Sequence, residues 1–179
     1  MITDTDRVHL RRCVELAEEA LDSGNEPFGS VLVSADGAVL LEDHNRVGGG
    51  DATRHPEFAI ARWAAGHLSP DQRAASVVYT SGEHCAMCSA AHAWAGLGRI
   101  VYASSTAQLG RWLRGLGVPP GPVVALSIRQ VAPGVPVDGP DEELAEQVRR
   151  LHHRYHRHHR LDGGAGAPGP AGGVSPSGR

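Results

Sequence analysis

The sequence predicts an α/β domain of three layers, in which helices flank a central mixed five-stranded sheet. Short apolar runs bounded by turn residues, which are typical of strands, alternate along the chain with segments whose apolar residues recur at helical spacing. Such alternation is typical of domains in which helices pack on a sheet. A chain of 179 residues is also long enough to bury a substantial core as one domain.

The first predicted helix spans residues 6–22. Thr3 or Thr5 can cap its start, and Gly24 follows its end. Its apolar side chains recur at helical spacing, and they are Leu10, Cys13, Val14, Ala17, Ala20 and Leu21.

The remaining elements follow from the same patterns and from the turn residues between them. In chain order we predict a strand at 28–33, a strand at 38–42, a helix at 55–65, a strand at 77–79, a helix at 86–95, a strand at 99–103, a helix at 108–116, a strand at 123–131 and a helix at 140–157.

Two parts of the chain differ in composition. Residues 1–160 have the mixed composition of a single folded domain, whereas residues 161–179 are rich in Gly, Pro, Ser and Ala. A segment of that kind has too few apolar side chains to pack, so we expect a disordered tail.

Charge excludes several classes of function. The net charge of −3 argues against a general nucleic-acid surface. All seventeen basic residues are arginines, so a catalytic or phosphate-binding lysine is excluded.

The sequence also indicates where the protein works. The first residues are polar and acidic, unlike a signal peptide, and no apolar run approaches the roughly 20 residues of a membrane span. Three cysteines are an odd number for a disulfide framework, and metal binding by reduced thiols is the better interpretation. We therefore expect a cytoplasmic protein.

The chemistry is concentrated in two short motifs. Cys85 and Cys88 are three residues apart at the start of a predicted helix, where they meet on one face and where the helix dipole favours thiolates. His55 adds an imidazole. Two thiolates and one imidazole are three good zinc ligands, and three protein ligands leave the fourth position open for water, as in catalytic sites.

Glu57 is placed to act as a base rather than as a ligand. Residues two apart on a helix point roughly 200° away from each other, so Glu57 lies beside the metal position that His55 reaches. A carboxylate at this place can take a proton from an activated water and pass it to a leaving group.

Together these motifs resemble the zinc-dependent cytidine and nucleobase deaminase superfamily, whose signature is H-x-E followed by P-C-x-x-C. The residues that match are His55, Glu57, Cys85 and Cys88. Further segments are similar to the guanine deaminase and tRNA adenosine deaminase branch, and they span 27–33, 44–46, 51–55, 80–83 and 94–97.

This resemblance implies a cytidine-deaminase-like fold and one catalytic Zn²⁺ per chain, held by His55, Cys85 and Cys88. It implies hydrolytic deamination of a free nucleobase or a similar aminated heterocycle, most like guanine converted to xanthine and ammonia. Glu57 would carry the protons. It also implies a homodimer with a small-molecule substrate.

Five further residues are candidates for contact with the substrate. Asn45 follows the predicted hairpin, and its amide suits the edge of a purine or pyrimidine. The rings of Phe28 and Trp94 could form walls for a flat substrate, or belong to the core. Tyr155 and His156 lie on the last predicted helix, which in this family often closes over the active site.

Two positions depart from the family pattern. Pro56 stands between the histidine and the glutamate, where the family has a residue whose backbone N–H helps to hold the base, and proline has no N–H. His84 stands where the family has proline before the first cysteine. Without the N–H at Pro56, guanine would lose one contact of its usual pose. We therefore expect either that the substrate is a different aminated heterocycle or that other groups hold guanine.

Several alternatives remain open at this point. The substrate could be cytosine, a nucleoside or a triazine, or the adenosine of a tRNA, although the acidic charge disfavours the last. The chain could also be an inactive protein that zinc stabilises, or a redox protein that uses the pair of cysteines.

Overall fold

The computed structural model describes residues 1–162, with side chains up to residue 157. Five strands form one sheet in the order β2-β1-β3-β4-β5. The first three pair antiparallel, and β3, β4 and β5 run parallel, so the sheet is mixed. The strands are β1 Gly29–Val33, β2 Val39–His44, β3 Val77–Gly82, β4 Arg99–Ser104 and β5 Val137–Asp138.

Seven α-helices and one 3-10 turn complete the described part of the chain. The helices are α1 Asp4–Asp22, α2 Pro56–His67, α3 Pro70–Ala75, α4 Ala86–Ala95, α5 Thr106–Gly115, α6 Ile128–Val131 and α7 Glu142–Asp162, and the 3-10 turn is Val47–Gly49.

Helices cover both faces of the sheet, which confirms the predicted three-layer α/β fold. On one face, α1 and α7 pack against β1, β3 and β4 around buried side chains such as Leu10, Val31 and Val148. On the other face, α2 and α4 pack against β1 and β3 around Leu32, Ile60 and other apolar residues.

The ends of several helices follow the capping rules. Thr3 caps α1 in a box with Asp6, which is one of the two starts that the sequence allows. The short helix α3 was not predicted, although Ser69 and Gln72 form the same kind of box at its start. Helix α7 begins two residues later and extends five residues further than predicted.

The predicted strand at 123–131 is wrong. Residues 123–126 form an irregular segment, and α6 follows at Ile128–Val131. Ser127 and Gln130 form a capping box, which starts a helical turn inside the apolar run. The last strand of the sheet is instead β5 at Val137–Asp138.

The predicted disordered tail lies outside the described residues from position 163 onward. Within the described part of the chain, none of the helices combines the length and the apolar character needed to span a bilayer.

The fold brings two helix starts together. Helix α2 packs against α4 on the same face of the sheet, and their first turns carry the two sequence motifs. His55 is the N-cap residue of α2, and Cys85 is the N-cap residue of α4.

Candidate metal centre and active site

His55, Cys85 and Cys88 converge on one point. The two sulfur atoms are 3.5 Å apart, and each lies 3.6 Å from Nδ1 of His55. Cys88 is fully buried, and the other two residues are half-buried and line a cavity. These three residues therefore present their ligand atoms toward a common centre.

The spacing fits a tetrahedral zinc ion. Zinc bonds of about 2.3 Å to sulfur and about 2.0–2.1 Å to nitrogen would place two sulfur atoms about 3.8 Å apart and sulfur about 3.5 Å from nitrogen. The observed separations are within a few tenths of an ångström of those values. His55, Cys85 and Cys88 can therefore hold one Zn²⁺ and leave a fourth position open.

The pKa values of the two thiols also favour a bound cation. The hydrogen bond with Cys88 lowers the pKa of Cys85 to about 4 against the opposing effect of burial, and His55 adds to the lowering. The same contact with Cys85 raises the pKa of Cys88, and burial and the nearby Glu57 raise it further. Ionisation of Cys88 beside the Cys85 thiolate is therefore unfavourable. A bound divalent cation would offset the repulsion between the two thiolates.

Glu57 lies directly beside the ligands. Its Oε2 is 3.7 Å from Sγ of Cys88, while its Oε1 is 2.9 Å from the hydroxyl of Thr80 and 3.2 Å from the hydroxyl of Ser30. Burial raises the pKa of this carboxyl, and His55 and Thr80 oppose the increase. A carboxylate held between hydroxyl groups and a metal position is suited to accept and return a proton.

A cavity of about 170 Å³ opens onto these groups. Its polar lining consists of His55, Glu57, Glu83, Cys85 and Thr106. Its apolar lining consists of Phe28, Leu109, Val123, Val124, Ala125 and Leu126. The cavity therefore combines a metal position and a base at its inner end with walls that suit a flat ring.

The part of the chain that contains both motifs matches a known protein family. The family model described as the cytidine and deoxycytidylate deaminase zinc-binding region matches residues 3–104, which is more than half of the sequence. This chain belongs to the zinc-dependent cytidine and nucleobase deaminase superfamily. The predicted resemblance and the predicted zinc cofactor are thereby confirmed.

Individual deaminases are similar over part of their length. The chain is 34% identical over 110 residues to a probable cytosine deaminase of Schizosaccharomyces pombe, covering 60% of this chain and 65% of that protein. It is 39% identical over 97 residues to a guanine deaminase of Bacillus subtilis, covering 53% and 62%. It is 34% identical over 87 residues to a tRNA-specific adenosine deaminase of Agrobacterium fabrum, covering 48% and 57%. Each match spans less than two thirds of the relative's own length.

A solved structure agrees with the fold. The crystal structure of guanine deaminase from Bacillus subtilis aligns with a TM-score of 0.53 at 30% identity, covering 67% of this chain and 80% of that one. The deaminase family thus contains relatives named for three different substrates at similar identity, so membership of the family does not select among them.

Of the predicted substrate contacts in this deaminase fold, Phe28 is placed at the cavity. A side chain at position 82 would meet the ring of Phe28, because a Cβ built on Gly82 would lie 2.9 Å from Cε1 of Phe28. The glycine at the end of β3 therefore makes room for the aromatic wall.

Asn45 is fully buried just after β2. Its Oδ1 accepts a hydrogen bond from the backbone N–H of Val47, as in an Asx turn. Its Nδ2 has no hydrogen-bond partner among the described residues, which leaves both N–H donors of the amide available.

Trp94 is not brought to the cavity of this chain. It lies in the last turn of α4 and is 91% exposed, because its side chain points away from the sheet that α4 packs against.

Tyr155 and His156 lie on α7. The ring of His156 stacks on His152, and the ring of His152 in turn meets the edge of Phe28, with ring centroids 5.0 Å apart. They therefore stand behind the Phe28 wall rather than among the described residues that line the cavity.

The two departures from the deaminase signature have different consequences. Pro56 occupies the first position of α2, where a missing N–H costs the helix nothing. His84 is buried against His92, with ring centroids 5.4 Å apart, and burial lowers its pKa well below the ordinary value. His84 is thus a neutral core residue, and not only a substitution at the helix entry.

The sequence did not identify the hydroxyls beside Glu57 or the apolar wall at 123–126. Ser30 and Thr80 are directly paired across β1 and β3, in strands that are mostly apolar. A polar residue inside an apolar strand was the available signal. The pairing that joins them required the register of the sheet.

Proposed function

We propose that this chain is a zinc-dependent hydrolytic deaminase of an aminated nitrogen heterocycle of nucleobase size. The observation that carries the proposal is the position of Glu57, whose carboxylate is buried 3.7 Å from Cys88 at the inner end of the cavity. Zinc bound there supplies a Lewis acid that lowers the pKa of a water molecule to about 7.

Glu57 is the group that moves protons. Its carboxylate takes a proton from the attacking water and gives it to a ring nitrogen of the substrate. It then takes the second proton from the hydroxyl group of the tetrahedral adduct and passes it to the amino group, which leaves as ammonia while the ring carbonyl forms. Such transfers require a carboxyl whose two protonation states are both accessible, and the raised pKa of Glu57 favours this.

Ser30 and Thr80 position this carboxylate. Their hydroxyls also contact each other at 3.0 Å, so the two strands hold one Glu57 oxygen and leave the second oxygen facing the ligands. A base that is already oriented avoids the cost of ordering at the moment of reaction.

Guanine is the first candidate substrate, because the relatives include a guanine deaminase and several segments are similar to that branch. Pro56 cannot offer the backbone N–H that would hold the base. Asn45, whose Nδ2 is buried without a partner among the described residues, stays our candidate for this contact, although it is not among the residues that line the cavity. Cytosine is the second candidate, favoured by the relative named a probable cytosine deaminase.

A panel of substrates tests the proposal. Zinc-loaded full-length protein is incubated with guanine, adenine, cytosine, their nucleosides, an aminated triazine and an RNA stem-loop that carries an adenosine, and ammonia is measured. Release of ammonia from one of the heterocycles supports the deaminase, and the ratio of kcat/KM values ranks the candidates. Zinc binding without ammonia from any compound would instead indicate an inactive zinc-stabilised protein.

We also propose a homodimer in the cytoplasm. The family resemblance implies a dimer, and the exposed indole of Trp94 offers apolar surface that a second copy could bury. Reducing conditions in the cytoplasm would keep Cys85 and Cys88 as thiols, which metal binding requires.

A further inference from the structure

The mouth of the catalytic cavity is apolar. Val123 and Val124 both line the cavity, yet their side chains are 61% and 73% exposed. They belong to the irregular segment 123–126 between α5 and α6, which also contributes Ala125 and Leu126 to the wall. The apolar wall thus continues from the interior to the rim, where it is exposed.

Two further residues of the lining are apolar. Phe28 and Leu109 face the cavity from the end of the loop before β1 and from α5. A substrate that reaches from the zinc ligands to the rim therefore meets apolar side chains from three parts of the chain.

Most polar side chains of the lining already have partners and are not available to bind a substrate. His55 and Cys85 belong to the metal centre. Glu83 uses both carboxylate oxygens, one to accept from the N–H of Thr106 and one to accept from the N–H of Ile128. Apart from the base Glu57, the hydroxyl of Thr106 is the remaining side-chain polar group among the described lining residues.

A sugar or a phosphate would find few partners here. The hydroxyls of a ribose need several donors and acceptors, and a phosphate needs cationic donors. Arg46 and Arg54, which precede the His55 motif in the sequence, line a different cleft with Asn25 and His44. Arg46 is moreover paired with Asp43.

We propose that the substrate of this cavity is an aminated heteroaromatic ring that carries an apolar substituent, such as an alkyl or aryl group, at its outer edge. This inference rests on the proposed deaminase function. The ring amine meets the zinc ligands and Glu57, and the substituent covers Val123 and Val124 at the rim. Each methylene group that leaves water in this way raises affinity about fourfold.

The substituent takes no part in the reaction. A bond forms between water oxygen and the ring carbon, the bond between that carbon and the amine breaks, and the products are the ring carbonyl compound and ammonia. Nothing is oxidised or reduced, so no further reactant is required.

The test compares compounds that differ only at the ring nitrogen that carries the sugar in a nucleoside. For cytosine the series is the free base, 1-methylcytosine, 1-butylcytosine, 1-benzylcytosine, cytidine and cytidine monophosphate, and the matching 9-substituted series is prepared for guanine. With zinc-loaded protein we expect kcat/KM for the butyl or benzyl compound of one series to exceed that of the free base at least tenfold. The nucleoside and the nucleotide should fall below the free base.

A pair of variants assigns the effect to the rim. In the Val123→Ser/Val124→Ser double variant, we expect most of the tenfold advantage of the benzyl compound over the free base to disappear. Val39→Ser is the control, because Val39 is also an exposed valine but lies on β2 outside the cavity lining, and it should keep the advantage.

Binding is measured separately from turnover. Calorimetric titration of zinc-loaded Glu57→Gln protein with the same series gives dissociation constants without reaction, and we expect the benzyl compound to bind at least tenfold more tightly than the free base. Equal affinity, or tightest binding of the nucleoside or nucleotide, would overturn this inference even where ammonia is released. Absence of ammonia from every compound would overturn the deaminase proposal, while the calorimetric ranking would still decide the inference about the rim.

Discussion

Glu83 and Ile128 are 45 positions apart in sequence, yet Oε1 of Glu83 accepts a hydrogen bond from the backbone N–H of Ile128 at 2.9 Å. The other oxygen accepts from the N–H of Thr106 at 2.8 Å. These N–H groups belong to the first residues of α6 and α5, between which lies the segment 123–126. Glu83, two residues before the zinc ligand Cys85, therefore links the starts of α5 and α6, and α6 directly follows the apolar segment 123–126.

Replacing Glu83 by glutamine should loosen this wall without removing the metal. The amide can accept from one N–H group only, so the other is left without its acceptor at a cost of about 1–3 kcal/mol. We expect KM for the heterocycle to rise about tenfold, kcat to change less, and the zinc content to stay at one per chain.

Glu142→Gln is the matched control, because Glu142 is an exposed carboxylate in the first turn of α7 and should leave KM unchanged. Loss of zinc from the Glu83→Gln protein, or an unchanged KM, would contradict the positioning role.

Glu57→Gln should abolish turnover and keep the metal. The amide has nearly the same shape as the carboxylate and can still contact Ser30 and Thr80, but it cannot take a proton. We expect kcat to fall by about 10²–10⁴-fold, with zinc content and melting temperature close to those of the wild type. Glu143→Gln, an exposed substitution on α7, serves as the control. A Glu57→Gln protein with substantial ammonia release would refute the role assigned to Glu57.

How much was predictable depended on the distance in sequence between the residues concerned. The zinc ligands lie in two local motifs, each at a helix start, so their residue types and spacing indicated a metal centre before the fold was known. The role of Glu57 as the base stays a prediction that the variant above tests.

The parts that were missed depend on distant contacts. Ser30 and Thr80 meet because the sheet pairs them across two strands, which neither strand sequence reveals alone. The run at 123–131 has the β-branched residues of a strand, but Ser127 and Gln130 start a helix within it and Glu83 binds the first N–H of that helix. Here a local cap and one long-range carboxylate outweighed the strand pattern.

Cys85→Ser should remove the zinc. A hydroxyl does not ionise at neutral pH, so the site would lose one of its two thiolates. We expect elemental analysis to show less than one fifth of the wild-type zinc and differential scanning calorimetry to show a lower melting temperature, since metal binding contributes to folding. Cys13→Ala is the control, because Cys13 is buried in α1 on the opposite face of the sheet, and it should retain full zinc. A Cys85→Ser protein with stoichiometric zinc would contradict the ligand assignment.

Trp94→Glu should weaken the proposed dimer. The indole is 91% exposed in the single chain, and a carboxylate in its place could not be buried at an apolar contact without a large cost. Sedimentation velocity at micromolar concentration should show a dimer for the wild type and a shift toward monomer for the variant. Val8→Glu changes an exposed valine on α1 and should leave the wild-type mass unchanged. A wild-type monomer, or a Trp94→Glu dimer of unchanged affinity, would place the contact elsewhere or exclude it.

His152 should make the fold sensitive to acid. This residue is buried among Phe28, Trp112 and His156, and desolvation, with smaller effects of His156 and His153, lowers its pKa to about 3. In the unfolded chain the pKa returns to about 6.5. Between these two values the unfolded state binds the proton and the folded state does not, so the free energy of unfolding decreases as the pH falls below about 6.5.

The size of the effect follows from the same linkage. One such group lowers the free energy of unfolding by up to about 1.4 kcal/mol for each pH unit below 6.5, so about 2 kcal/mol separates pH 7 from pH 5. Urea denaturation of wild type and of His152→Leu at both pH values measures the difference. The leucine variant should lose about 2 kcal/mol less than the wild type on acidification, because it has removed this site of proton uptake. His153→Leu changes a less buried neighbour on the same helix and should lose nearly as much as the wild type. Equal losses in the wild type and His152→Leu would show that His152 is protonated in the folded protein and that its burial does not limit stability in acid.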